Sequence, residues 1–177
     1  MNGDKDKFVP ASKEEIIIPE AGDLAKYKHM QKIMRHIRNV QDSSELMAER
    51  LVERGNADFA RLLVSNCQVH DNSKFAGIEW IYLVTNPEDE EKLKIAMHQH
   101  VTTNKHHPEF WNGIREMPGI FLAEMTADWH ARSTEFGTDL REWIRDVACK
   151  KYDITQKMKV YRTIKEFLDF LLDKPFK

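Results

Sequence analysis

Apolar residues recur every three or four positions along most of this chain, which is the spacing of one face of an α-helix. The first predicted helix covers about residues 23–54, where Ile33 and Ile37 are one turn apart and Gly55 provides an end signal. The same spacing predicts further helices over about 57–71, 75–84, 85–103, 118–134, 138–151 and 155–172, with a loop over 104–117. Because no segment predicts a strand, we expect an all-α fold, a single bundle of about six to seven helices over residues 23–177, preceded by a polar arm over residues 1–22.

The composition excludes several classes of protein. With 41% hydrophobic residues among 177, the chain can bury a core, yet it has no apolar run near the ~18 residues of a membrane span. A formal net charge of −2 argues against broad nucleic-acid binding, which depends on an excess of Lys and Arg. Two cysteines are too few for a disulfide framework, and the first residues do not look like a secretion signal. We therefore expect a cytoplasmic protein without membrane association.

Candidate chemistry comes from histidines and acids on the predicted inner faces of the helices. His70 lies in line with the apolar face of the second predicted helix and is followed directly by Asp71. His36, His100 and Asp128 occupy comparable positions on three other helices. A single inward histidine is usually a satisfied core residue, but several inward ligands are costly to bury without a metal. Nitrogen and carboxylate donors suit a divalent transition ion, so we expect a metal site.

The order of these residues resembles a known pattern. His36, His70-Asp71 and Asp128 follow the H…HD…D order of the HD-domain superfamily, whose members are all-α metal-dependent phosphohydrolases with some di-iron oxygenases among them. A narrower resemblance, to small phage and bacterial proteins of the DUF5662 type, rests on the segments NKHHPEFWNGI and EMTADW. Together the motifs cover about residues 26–137. If the protein is phage-encoded, its expected location is the host cytoplasm.

The resemblance implies a set of metal ligands, namely His36, His70, Asp71 and Asp128. In dinuclear relatives an additional histidine and a histidine pair hold a second ion, and those places are matched in order by His100, His106 and His107. His100 is only six positions before the His106-His107 pair, closer than in those relatives, so one ion is expected and two are the alternative. The resemblance does not identify the divalent metal, which could be Mn, Fe, Co, Ni, Zn or Mg.

The implied chemistry is hydrolysis of a nucleotide or another small phosphate ester by a metal-activated water. Asp71 or Asp128 would bind the metal with one oxygen and orient that water with the other. The leaving oxygen needs a proton or a cation, for which Lys74, Glu109 and an unligated His106 or His107 are candidates. In relatives, a lysine at the place of Lys74 contacts phosphate.

Substrate binding is expected from Lys74, from Arg35 on the basic first helix, and from the His106-His107 pair. For Lys74 and Arg35 the alternative is a solvated surface. Pro108 restricts His107 to extended backbone, so the two histidines should point opposite ways unless the chain turns between them. At least one of the two histidines is expected to line the site.

Two other functions fit the same residues. A di-iron oxygenase is favoured if His100, His106 or His107 build a second iron site. The other alternative is a non-catalytic, metal-stabilised helical protein that binds a partner. A structural metal site is usually closed by four protein ligands, whereas a catalytic one keeps a position for water, so openness of the site separates these alternatives.

The last predicted helix carries more apolar residues than one core-facing stripe requires. Part of this surface should be covered by the N-terminal arm or by a second subunit, which predicts a homodimer or a higher homo-oligomer. The residues concerned are Tyr161, Ile164, Phe167, Leu168, Phe170, Leu171 and Leu172.

Overall fold

The structure is a computed structural model that describes residues 21–84 and 89–172. Within these ranges every regular element is helical, which confirms the predicted all-α fold. The first helices are α1 (Ala21–Glu53), α2 (Ala57–Cys67) and α3 (Gly77–Glu79, prolonged by a π-helical turn, Trp80–Val84). They are followed by α4 (Glu90–Thr103), α5 (Gly119–Phe136), α6 (Leu140–Trp143, continuing through Ile144–Ala148 and Cys149–Lys151) and α7 (Lys159–Leu171). The predicted polar arm lies outside the described residues up to residue 20.

The core lies where α5 meets α1, α2 and α7. Every residue of α5 from Leu122 to Ala127 is buried, so this stretch has no solvent face and its polar side chains meet other side chains. Met47 of α1 and Leu168 of α7 are fully buried, and each contributes about 1.5–3 kcal/mol by leaving water. No helix in the described ranges, not even the 33-residue α1, is both long enough and apolar enough to cross a bilayer.

The start of α4 differs from the sequence-based prediction. The predicted start near Pro87 lies outside the described residues, and the helix itself begins at Glu90. Asp89 caps it by accepting a hydrogen bond from the Lys92 amide at 3.1 Å. A carboxylate at this position satisfies one of the free amides of the first turn and complements the helix dipole.

The apolar surface of α7 is covered by the chain itself. Ile164, Phe167, Leu168, Phe170 and Leu171 are all buried against the rest of the bundle. The surplus of apolar residues therefore gives no reason to expect a second subunit, because α7 packs against both α1 and α5. Self-association stays a prediction, and the mass from light scattering at tens of micromolar would test it.

Candidate metal centre

The His70-Asp71 pair lies in the turn that ends α2. The helix stops at Cys67, earlier than predicted, and the His70 amide donates to the Cys67 carbonyl at 3.3 Å. Asp71 has left-handed backbone, with φ 57° and ψ 11°, which Asp adopts more readily than most residues with a Cβ. Both side chains are 2% exposed. The turn, not the phase of the helix, thus directs them inward.

Four imidazole nitrogens surround the Asp71 carboxylate. Its Oδ2 atom lies 3.8 Å from His36 Nε2 and 3.7 Å from His70 Nε2. Its Oδ1 atom lies 3.2 Å from His100 Nε2 and 3.5 Å from His106 Nε2. One carboxylate therefore stands between two pairs of histidines, and each pair faces a different oxygen.

Each pair is completed by one further side chain. Asp128 Oδ1, from α5, is 2.9 Å from His36 Nε2 and 3.9 Å from His70 Nε2. On the other side, ligand atoms of His100, His106 and His107 all lie within 4.8 Å of one another. The first ligand group is defined here as His36, His70, Asp71 and Asp128. The second ligand group is Asp71, His100, His106 and His107, so that the two groups share Asp71.

Glutamates hold the imidazoles by their other nitrogen, Nδ1. Glu124 Oε1 lies 3.1 Å from His70 Nδ1 and 3.4 Å from His106 Nδ1, so it serves one histidine of each group. A carboxylate on Nδ1 sets the orientation of the ring and leaves Nε2 as a ligand atom. Glu135 contacts Nδ1 of His36 at 2.9 Å, and Glu79 contacts Nδ1 of His100 at 2.8 Å.

The ligand groups contain buried polar atoms that have no hydrogen-bond partner among the described residues. Six such atoms are Nε2 of His36, His70, His106 and His107, and Oδ1 of Asp71 and Asp128. Buried polar atoms are normally satisfied, and each one left unpaired costs about 1–3 kcal/mol. Nitrogen and carboxylate atoms, gathered in two groups and unpaired, are the donor set of divalent transition metals. The residues therefore fit two metal ions that share the Asp71 carboxylate.

The model of DUF5662, described as a family of unknown function, matches residues 25–174 of the chain. The chain belongs to the DUF5662 family. This match covers both ligand groups and confirms the narrower of the two resemblances, while the wider one, to HD-domain proteins, stays a prediction. No curated protein and no solved structure gives a significant match.

Electrostatics keep the acidic ligands of this DUF5662 protein ionised. Burial alone raises the pKa of Asp71, but His70 and His100 help to hold that pKa well below its usual range. Burial is likewise outweighed at Asp128, where the close contact with His36, together with the charge of His70, lowers the pKa. Both carboxylates are anions at neutral pH, the form that binds metal.

The pKa values of Glu124 and His107 are also lowered. Burial raises the pKa of Glu124, but hydrogen bonds from His106 and His70 dominate and lower it to about 2. Burial, with the neighbouring His106 and His100, lowers the pKa of His107 to about 3. His107 is thus a neutral imidazole at pH 7, with a lone pair for a metal and no cationic proton to donate.

His106 and His107, both members of the second ligand group, have side chains on the same side of the chain. The His107 amide donates to the Asn104 carbonyl at 3.1 Å, so the chain turns over residues 104–107. His107 is extended, with φ −103° and ψ 134°, as Pro108 predicts. The two ring centroids are nevertheless only 4.2 Å apart. The condition attached to the sequence-based expectation is met, because the chain turns at this point and both side chains lie on one side.

Lys74 lies at the edge of the first ligand group, beside Asp71. It belongs to the 3₁₀ turn Asn72–Phe75, and its Nζ forms an ion pair with Asp71 Oδ2. The side chain is 12% exposed, so the charge is largely removed from water. A cation in this position can meet a phosphate group that approaches the carboxylate.

Two predicted site residues lie outside both ligand groups of the DUF5662 protein. Glu109, in the turn Pro108–Trp111, places Oε1 3.4 Å from Lys151 Nζ. Arg35 is exposed on α1, although the next residue, His36, is buried. Successive helical side chains point about 100° apart, so Arg35 does not follow His36 inward. Direct substrate contact through Arg35 is therefore not supported.

Glu79 and Glu135 are not predicted as site residues from the sequence, yet each contacts the Nδ1 atom of a candidate ligand histidine. For Glu135 a signal exists, because it follows Asp128 by seven positions, two turns along the same face of α5, as Glu124 precedes it by four. Glu79 carries no such signal. It ends the three-residue α3, and only the packing of α3 against α4 brings it to His100.

Replacing Glu124 by alanine is expected to lower metal affinity about 10- to 100-fold, because His70 and His106 both lose the carboxylate that orients them. Competition with a chromogenic chelator measures this affinity. Glu135→Ala should weaken only the ion held through His36, and the exposed Glu116→Ala should change neither ion. Equal affinities for the Glu124 variant and the Glu116 variant would contradict the role of Glu124.

Proposed function

We propose that this chain is a dinuclear metal-dependent phosphohydrolase of HD type. The observation that carries the proposal is the Asp71 carboxylate, whose two oxygens face two different histidine pairs. The pattern of unpaired atoms supports two ions rather than one. The substrate class is a nucleotide or another small phosphate ester.

The side chains of the site have different roles in the proposed hydrolysis. When bound, two divalent ions would supply an activated water and positive charge against the phosphate. Asp71 and Asp128 hold negative charge at the metal positions, and the glutamates behind the histidines keep the imidazoles in place. Lys74 offers an ammonium group to a phosphate oxygen beside Asp71. Glu109, which follows His107 and Pro108 in the loop and pairs with Lys151, is the candidate for proton transfer to the leaving oxygen.

An open cavity supports a catalytic site over a purely structural one. A cavity of about 310 Å³ is lined by His70, Asp71 and His106, with Asn104 and Lys105 also in its wall. Space beside both ligand groups is what a water and a substrate need, whereas a structural metal is usually closed off by protein ligands. Lys105 adds a second cation to this cavity.

A di-iron oxygenase is the second candidate, and one observation favours it. His100, His106 and His107 do come together beside a shared carboxylate, an arrangement of nitrogen and oxygen donors that also suits iron. An aerobic preparation with two irons per chain and visible absorbance, but without phosphate release, would favour oxygenase chemistry.

The test of the proposed function is metal analysis paired with a substrate screen. We expect two divalent ions per chain by mass spectrometry of the purified protein. We also expect phosphate release from at least one nucleoside mono-, di- or triphosphate, and loss of release after chelation. Full metal content without phosphate release from any ester would overturn the hydrolase assignment.

Lys74→Ala is expected to lower kcat about 100-fold while the metal content stays unchanged, because one charged contact to the phosphate is lost and the ligands remain. Phosphate release and metal analysis on the same sample measure both quantities. Lys159→Ala, a change of an exposed lysine at the start of α7, is the matched control. Unchanged kinetics in the Lys74 variant would make Lys74 a partner of Asp71 only.

A further inference from the structure

A second cavity has His107, a member of the second ligand group, in its wall. It has a volume of about 410 Å³ and shares no lining residue with the cavity beside His70 and His106. Because the ring centroids of His106 and His107 are 4.2 Å apart, the two cavities meet the second ligand group from different sides. This space, called the aromatic cavity below, lies within the 300–1,000 Å³ of small-molecule sites.

Large, flat side chains form the walls of the aromatic cavity. Trp129, Trp143 and Tyr152 line it, together with Met97 and Met125. The rings of Trp129 and Tyr152 are nearly parallel, with an interplanar angle of 15°, and Trp143 stands edge-on to Trp129 at 5.1 Å. Indole, phenol and thioether surfaces favour a planar, weakly polar ligand group.

The cations of the aromatic cavity already have partners. Lys151 lies 3.4 Å from Glu109 and 2.9 Å from the hydroxyl of Tyr152, and Arg132 lies 3.3 Å from Glu135. The cavity is therefore close to neutral, and metal ions bound at the ligand groups would supply the positive charge for a phosphate group instead. A bare sugar would leave its hydroxyls unpaired against these aromatic walls.

We propose that the aromatic cavity binds the organic part of the phosphate ester and selects a planar aromatic group, a nucleobase or an aryl ring. The assignment rests on the proposed function, because the phosphate is placed at the ligand groups and the remainder of the ester extends past His107. It makes Trp129, Trp143 and Tyr152 the determinants of substrate class, while Lys74 and the metal ligands act on the phosphate.

The test compares esters that differ only in the base. The nucleoside 5′-monophosphates AMP, GMP, CMP and UMP are compared with ribose 5-phosphate, which has the same leaving oxygen but no base. We expect kcat/KM for at least one nucleotide to exceed that for ribose 5-phosphate by tenfold or more. Phosphate release from ribose 5-phosphate at an equal or higher kcat/KM would overturn the assignment of the aromatic cavity alone.

A filled cavity provides the decisive variant. Met97 lines the cavity but is 48% exposed, so Met97→Trp should narrow the cavity and obstruct a bound ring without disturbing the core. This variant should lose the preference for nucleotides, so that their kcat/KM falls towards that for ribose 5-phosphate. Leu62→Trp, at a 50% exposed position on α2, is the matched control. Retention of the full nucleotide preference in Met97→Trp would count against the assignment.

Binding of nucleosides provides a readout that does not depend on hydrolysis. Trp129 and Trp143 lie in the cavity wall, so adenosine, guanosine, cytidine or uridine should quench tryptophan fluorescence in the wild type and not in Met97→Trp. If no ester is hydrolysed, the proposed function fails, and this titration still decides the aromatic cavity. No saturable quenching by any of the four nucleosides would overturn it.

Discussion

Asp71→Ala is expected to remove both metal ions, because each oxygen of this carboxylate faces a different ligand group. Asp128→Ala and His107→Ala should each lower the content by one ion only, since each residue belongs to a single group. Mass spectrometry of the metal content per chain measures the three variants on one scale. Asp71→Ala should also abolish phosphate release.

A control is needed for the backbone at this position. Asp71 has a φ of 57°, and placing alanine in left-handed backbone costs about 1–2 kcal/mol by itself. Asp153 also has positive φ, 49°, and its side chain is 88% exposed, so Asp153→Ala reproduces the backbone strain at a residue outside both ligand groups. An Asp71→Ala protein that retains two ions per chain would contradict the shared-carboxylate arrangement.

Removing the metal is expected to lower the melting temperature by about 10 °C. At a free metal concentration of 1,000 times Kd, binding stabilises the folded state by about 4 kcal/mol, and one kcal/mol corresponds to about 2–4 °C for a protein of this size. The physical reason is that buried nitrogen and carboxylate atoms of the ligand groups would be left without the ion that satisfies them. Differential scanning calorimetry before and after chelation measures the change.

Restoring single metals identifies the physiological ion class. Of the divalent ions added back to the chelated protein, the one that fits should recover both the melting temperature and phosphate release. The Asp71→Ala variant is the control, because its melting temperature should respond little to chelation or to added metal. A wild type whose melting temperature is indifferent to chelation would show that the buried ligands are satisfied without metal.

The two sets of results bear on different parts of the site. Metal content and melting temperature report on the ligand groups and the glutamates behind them, whichever reaction the protein catalyses. Phosphate release, and the comparison of nucleotides with ribose 5-phosphate, report on Lys74 and the aromatic cavity. If the protein binds two ions but releases no phosphate, the assignment of the metal centre stands and oxygenase chemistry becomes the leading candidate.

The helical class and the candidate ligands were readable from the sequence. Apolar spacing of three to four residues is a local property, so it predicts helices and most of their approximate limits without any knowledge of packing. The inward positions of His36, His100 and Asp128 follow from the same periodicity, and all three carry ligand atoms in the structure. The adjacency of His70 and Asp71 is also a local feature, so the sequence alone identifies them as candidate ligands.

Only the tertiary structure decided how these residues are combined. His36 meets Glu135 across 99 positions of the chain, and His70 meets Glu124 across 54, contacts that no local spacing encodes. The turn after α2 places Asp71 between two histidine pairs, and the turn at residues 104–107 brings His106 and His107 to one side. Sequence periodicity determines which face of a helix a side chain occupies. Which faces meet, and so whether one ion or two can be held, depends on how the helices and turns pack together.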